Sequence, residues 1–183
     1  MNILDAIGNI KPRALTKDSI LNFAYGSNML GARILQRIPG AKLVGRGILR
    51  SYELKWHKVG QDGSGKCDVV SVNDRCSVVH GVVYALSSHE KELLDRFEGL
   101  GSGYDERNVE VEMTGTRVSA WIYHATNIDS SLLPFTWYRA LVAAGAREHG
   151  LPAEYVGHIL AVSARDDDNE ARARSHFALC RDD

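Results

Sequence analysis

The chain has 183 residues, 44 % of them hydrophobic and 25 % charged, with a formal net charge of −1. That length suits one domain with a substantial core. Its lysines and arginines are scattered rather than gathered into the basic stripe that neutralises phosphates, and no run of about eighteen apolar residues occurs, so neither a nucleic-acid nor a membrane partner is expected. Residues 1–18 mix Lys11, Arg13, Lys17 and Asp18 with short apolar pieces and lack the apolar run of a secretory signal, so they read as a loosely structured leader. Three cysteines (Cys67, Cys76, Cys180) make no CxxC pair and leave an odd count, which points to a reduced, cytoplasmic setting.

Ser19–Ala24 is a short apolar run of strand type, followed by turn residues Tyr25-Gly26-Ser27-Asn28. Leu30, Ile34, Leu35 and Ile38 then recur at helical spacing until Pro39-Gly40. Strands follow at Ala41–Leu49, Tyr52–His57 and Asp68–Val72, with a glycine-rich loop over Gly60–Gly65. Ser77–Leu86 reads as a buried, β-branched strand with Gly81 marking a bulge. Ser87 and Glu90 form a capping box for a helix that runs through Leu93, Leu94 and Phe97 and stops at Gly99. Strands Arg107–Met113 and Arg117–His124 come next. A helix follows Pro134 through Trp137, Leu141 and Val142, and another covers Ala153–Val162 after the Leu151-Pro152 break. Asp166–Asp183 reads as a solvated helix with Asp168/Arg172 and Glu170/Arg174 pairs four apart. Strands in the middle and helices at the end predict an α+β domain over 19–163, built on a small, mainly antiparallel sheet or barrel, with 164–183 as a helical tail.

Two places carry chemistry. At Phe23-Ala24-Tyr25-Gly26-Ser27-Asn28 a strand delivers the chain to a glycine, whose missing Cβ admits a ligand to the backbone. The helix beyond it points free N–H groups and its positive end at the same place, which suits a carboxylate or a developing oxyanion. An ordinary helix cap would use the same Ser and Asn. The second place is Glu98, one turn after Leu94 at the edge of the apolar face formed by Leu93, Leu94 and Phe97, with Lys91, Glu92, Asp95 and Arg96 opposite. Burial and the negative helix end both disfavour a bare carboxylate there, which suits acid/base work near neutral pH. A solvated boundary glutamate would show the same pattern.

Together these segments resemble the γ-glutamylcyclotransferase (AIG2-like) family. Phe23-Ala24-Tyr25-Gly26-Ser27-Asn28-Met29 is similar to its YGSN-type substrate loop. Leu94-Asp95-Arg96-Phe97-Glu98-Gly99 with Ser102-Gly103-Tyr104 is similar to the helix bearing its catalytic Glu and the loop after it. Trp137-Tyr138-Arg139 and Gly145 to Pro152 resemble its C-terminal element, in which a Tyr contacts substrate and maps onto Tyr138. The matches keep their order over roughly residues 21–160. The resemblance implies a small β-barrel-like fold with flanking helices and a pocket lined by the loop, Glu98, Tyr104 and Tyr138.

The implied chemistry needs no protein nucleophile. The α-amine of a γ-glutamyl substrate attacks its own γ-carbonyl, an intramolecular step with a large effective molarity, and releases 5-oxoproline. Glu98 moves the protons, Tyr138 orients the substrate, and N–H groups around Tyr25–Ser27 hold either its α-carboxylate or the oxyanion. The partner is a small γ-glutamyl compound.

No metal or other cofactor is expected, because the seven histidines lack any ligand spacing. Glu53, Glu92 and Glu106 rank behind Glu98, and Ser27 lacks the GxSxG context of a triad nucleophile. Leu132, Leu133 and Phe135 suggest either a homodimer surface or a buried cluster. The rival function is a non-catalytic binding domain on the same fold, disfavoured by an unpaired, half-buried Glu98.

Overall fold

The computed structural model of the protein describes residues 18–180. The expected leader falls outside them except for Asp18. Strands β1 (Ile20–Ala24), β2 (Lys42–Arg50), β3 (Tyr52–Val59), β4 (Gly65–Ser71), β5 (Val78–Leu86), β6 (Tyr104–Met113) and β7 (Thr116–Ala125) are interleaved with helices. The helices are α1 (Gly31–Arg37), α2 (Ser88–Glu98), α3 (Thr136–Glu148), α4 (Ala153–Ala161) and α5 (Glu170–Ala178). Five strands close a barrel in the order β1-β5-β2-β6-β7. Its seam is parallel, Asn22 of β1 facing Trp121 of β7, and the other pairings are antiparallel. This is the α+β, mainly antiparallel barrel that the strand pattern implies. The remaining two strands, β3 and β4, form a separate hairpin.

Phe23 and the Ala24 carbonyl explain one glycine in the barrel, Gly81. The β2–β5 register runs unbroken through Gly47 and Gly81, and the irregularity lies between Leu43 and Gly45, so Gly81 is not a bulge. A Cβ on Gly81 would stand 2.6 Å from the Phe23 ring and 2.4 Å from the Ala24 carbonyl oxygen. The glycine makes room for a ring that is 1 % exposed. Burying a side chain of that size is worth about 1.5–3 kcal/mol.

Helix α2 begins and ends as its sequence implies. Ser87 and Glu90 cap each other reciprocally, and Gly99 stops the helix in the left-handed region at φ 72°. Its faces differ from the expectation. Leu94 is fully buried, but Phe97 is 54 % exposed and Lys91 is buried. The Lys91 amine is held by Asp95 and, at 2.5 Å, by Glu106, beneath the rings of Trp121 and Tyr123. Two carboxylates and two aromatic faces offset the cost of burying that charge. Phe97 instead takes the Arg37 guanidinium over its ring at 5.6 Å.

Helix α1 is shorter than the apolar spacing suggests. A 3-10 turn (Ser27–Met29) precedes it, and Leu35, expected on the inner face, is exposed. At the other end of the chain α5 lies on α3, with the His176 and Trp137 rings 4.0 Å apart. Asp167 is buried between them. It accepts the Trp137 indole N–H at 2.7 Å and two bonds of 2.6 Å from Arg172, which hold its carboxyl well below the usual range. Arg172 therefore pairs with Asp167 rather than with Asp168, because Asp167 is the carboxylate turned toward the core.

Of the expected apolar patch only Leu133 is exposed. Phe135 is buried beneath the guanidinium of Arg165 at 4.5 Å, so the buried-cluster alternative holds there. No helix among the described residues is long and apolar enough to cross a membrane.

Candidate active site

Where β1 ends, the Tyr25 side chain turns inward and its hydroxyl donates to the Tyr123 carbonyl on β7, fixing the loop to the barrel. Gly26 lies against Cys67 and Tyr138: a Cβ there would stand 3.2 Å from both the Cys67 Cβ and the Tyr138 hydroxyl. The N–H groups of Tyr25, Gly26, Ser27 and Asn28 have no acceptor among the described residues. These loop amides take the place that the sequence assigned to the helix terminus. The start of α1 is occupied by Glu148, whose carboxylate accepts the Gly31 N–H at 2.9 Å. Neither Ser27 nor Asn28 caps a helix with its side chain.

Phe23, Ala24, Tyr25, Gly26, Ser27, Asn28, Glu98, Tyr104 and Tyr138 all line one small cavity of about 40 Å³. Every residue singled out from the sequence is thus brought to one place. Asn22, Cys67 and Tyr123 line it as well. Through Ser27, Glu98, Tyr104 and Tyr138 the cavity continues into an outer cleft of about 370 Å³.

Glu98 is the last residue of α2, with 16 % of its side chain exposed. Its Oε1 accepts the Asn28 amide at 2.7 Å and an Arg37 guanidinium N–H at 2.9 Å. Arg37 also donates to Asn28 Oδ1 at 3.0 Å, which closes a three-membered ring of contacts. The carboxylate is therefore paired, contrary to the isolated group expected from the sequence. Both donors converge on Oε1, and Oε2 has no donor among the described residues. Sequence reasoning missed Arg37. Its signal is the Arg33/Arg37 spacing of four on the helix after the loop, which puts both cations on one face.

The four tyrosines divide by what their hydroxyls do. Tyr25 donates to the Tyr123 carbonyl, Tyr104 to the Cys67 carbonyl at 2.6 Å, and Tyr123 to Asp95 at 2.6 Å. Tyr138 instead accepts the Cys67 N–H at 3.1 Å, and its hydroxyl also lies within hydrogen-bonding reach of the Cys67 thiol. Burial raises all four phenols above their ordinary value and keeps them neutral donors. Burial also pushes the Cys67 thiol up to about 12, so no thiolate is present near neutral pH to act as a nucleophile.

The rival groups lie elsewhere. Glu106 is engaged by Lys91, and Glu92 is exposed on the outer face of α2. Glu53 pairs with Lys55 at 2.6 Å and borders a separate groove of about 700 Å³ between β3, β5 and α4. No hydrogen bond joins Ser27 to a histidine among the described residues, which leaves a Ser–His pair without support.

Comparison with known proteins agrees with this geometry. Gamma-glutamylcyclotransferase from Homo sapiens is 32 % identical over 158 residues, spanning 82 % of each chain. The Bos taurus protein of the same name is 30 % identical over 165 residues, spanning 84 % of each. The chain belongs to the gamma-glutamylcyclotransferase family. The sequence pattern of the AIG2-like family matches residues 78–159, a span that holds Glu98, Tyr104 and Tyr138 but not the loop. A solved structure named gamma-glutamyl cyclotransferase superposes with a TM-score of 0.77 at 28 % identity, over 86 % of this chain and 99 % of that one. The protein is an enzyme of this gamma-glutamylcyclotransferase type, and the alternative of a non-catalytic binding domain gives way to it.

Proposed function

We propose that this cyclotransferase converts a γ-glutamyl compound to 5-oxoproline and a free amine, with Glu98 as the acid/base. The observation that carries the reading is the arrangement of Glu98: one oxygen is tied to Asn28 and Arg37, the other has no donor among the described residues, and the residue lines the cavity with a loop whose four N–H groups have no acceptor among the described residues. The open oxygen takes a proton from the substrate α-ammonium. The freed amine attacks the γ-carbonyl carbon, a new C–N bond closes the lactam, and the old amide C–N bond breaks. Two protons leave the attacking nitrogen overall and two reach the departing one, so a single carboxylate serves as base and then acid. The loop amides donate to substrate oxygens, including the one that gains charge. Arg37 and Asn28 fix the plane of the Glu98 carboxylate, and Tyr138 supplies a neutral donor.

The partner in this reading is a small molecule alone. The setting is cytoplasmic, a placement supported by three unpaired cysteines. Incubation with γ-glutamyl amides should give 5-oxoproline and the amine in equal amounts, read by mass spectrometry. Glutamate as the first product would exclude cyclotransfer.

Two substitutions probe the walls of the cavity. Gly26→Ala places a Cβ 3.2 Å from the Tyr138 hydroxyl, so substrate and tyrosine compete for the same space. It should lower kcat/KM by about tenfold or more, the scale on which misplaced positioning groups act, while Tm moves little. Unchanged kinetics would make Gly26 a turn residue only. Tyr138→Phe removes the acceptor of the buried Cys67 N–H, which should cost about 1–3 kcal/mol in chemical denaturation. It should also lower kcat/KM, and wild-type kinetics with that stability loss would confine Tyr138 to a structural role.

A further inference from the structure

The outer cleft is lined by Arg33, Arg37, Lys58, Lys66 and Arg172 against only Asp62 and Glu98. Three of these cations are matched: Arg37 by Glu98 at 2.9 Å, Lys66 by Asp62 at 2.7 Å, and Arg172 by Asp167 at 2.6 Å. Arg33 and Lys58 have no carboxylate partner among the described residues, although they are only 8 % and 9 % exposed.

The Arg33 guanidinium meets His176 Nδ1 at 3.2 Å, and its Nε is buried without an acceptor. That imidazole supplies no counter-charge. Burial, then the neighbouring Arg33, lowers its pKa to about 4, so it is neutral near pH 7. Burial, then Arg37, lowers Arg33 itself to about 10, where it is still charged. Lys58 lies over the face of Tyr104 at 4.7 Å, a contact that attracts a cation without neutralising it. Glu98 and Asp62 act on Lys58, and Glu98 on Arg33, without forming an ion pair; a desolvated cation with no direct partner is costly to keep, and a bound anion is what would offset that cost.

A γ-glutamyl group carries one ammonium and one carboxylate, and it is engaged at the inner cavity by Glu98 and the loop. The departing half of the substrate therefore faces two cations that no carboxylate pairs directly. We propose that Arg33 and Lys58 select γ-glutamyl compounds whose departing amine bears two negative groups, as a dicarboxylic amino acid does, over those with one or none. This selection rests on the cyclotransfer reading above and assigns it a substrate class.

The test uses three substrates and the whole protein. γ-Glutamyl-glutamate and γ-glutamyl-glutamine match in size and differ by one charge, and γ-glutamyl-propylamine carries no negative group on its departing half. kcat/KM should fall at least about tenfold with each charge removed, the scale of a charge-assisted hydrogen bond. The loss should lie mainly in KM, since the contact is to a part of the substrate that does not react. Lys58→Met and Arg33→Met should each bring the glutamate and glutamine compounds toward parity. Removing a buried charge that no carboxylate pairs directly should leave Tm unchanged or raised, the opposite of what a structural ion pair would show. Equal turnover of the three substrates by the unsubstituted enzyme would overturn the charge selection while leaving cyclotransfer intact, whatever the variants do. No 5-oxoproline from any of them would overturn cyclotransfer and the selection together.

Discussion

Glu98→Gln should lower turnover at least about a hundredfold, the usual scale for losing a general acid/base. Glutamine keeps a carbonyl oxygen where Oε1 accepts from Asn28 and Arg37, so the ring of contacts with those two residues can persist. The change falls on the open oxygen, which becomes an amide that can neither take a proton from an ammonium nor return one. Stability should stay within about 1–2 kcal/mol, because the site is a helix end at the boundary of the core and the lost ion pair is partly solvated. The measurements are kcat by 5-oxoproline release and Tm by calorimetry. Near-normal turnover in a folded variant would remove Glu98 from the mechanism.

Blocking the substrate amine should have the larger effect. An N-acetyl-γ-glutamyl amide keeps the scissile bond but has no amine lone pair to attack with, so neither 5-oxoproline nor free amine should form. A hydrolase using Ser27 or an activated water would cleave that compound and release N-acetylglutamate. The site geometry already disfavours such a route: the Cys67 thiol is protonated near neutral pH and Ser27 has no histidine hydrogen-bonded to it. The outcome depends on covalent connectivity alone, and effective molarities of about 10⁵–10⁸ M show why positioning can suffice when attacker and target share one molecule. Amine release from the acetylated compound at a rate near that of the parent would refute self-attack.

What was legible in the sequence is what local chemistry decides. Ser87, Glu90 and Gly99 set the limits of α2 within a dozen residues, and so fix where Glu98 stands. The β-branched run of β5 and the alternation in β6 declare strands. The rest depends on partners distant in the chain. Lys91 looks like a surface residue until Glu106 and the rings of Trp121 and Tyr123 arrive over it. Phe97 looks like core until Arg37, sixty-one residues away from Glu98, occupies the adjoining space. The β3–β4 hairpin reads correctly as two strands, yet nothing local places Cys67 against Gly26 or sends Lys58 into the cleft. Nor does any periodicity show that the α1 terminus is already taken by Glu148, which leaves the loop amides as the free donors.

In the proposed reaction the two halves of a substrate meet largely different stretches of this chain. The barrel, the loop after β1, the end of α2, Cys67 and Tyr138 line the inner cavity, whereas Lys58, Asp62 and Lys66 of the hairpin and its loop border the cleft beyond with α1 and α5. On that proposal, chemistry and choice of departing group are largely separable inheritances. Arg37 and Arg33 sit about one helical turn apart on α1, the first tied to the carboxylate and the second turned to the cleft. If Arg33 and Lys58 select the departing amine as proposed, drift at either residue would retune which amines are released while Glu98 stays as it is. An enzyme laid out this way can acquire new substrates without reinventing its reaction.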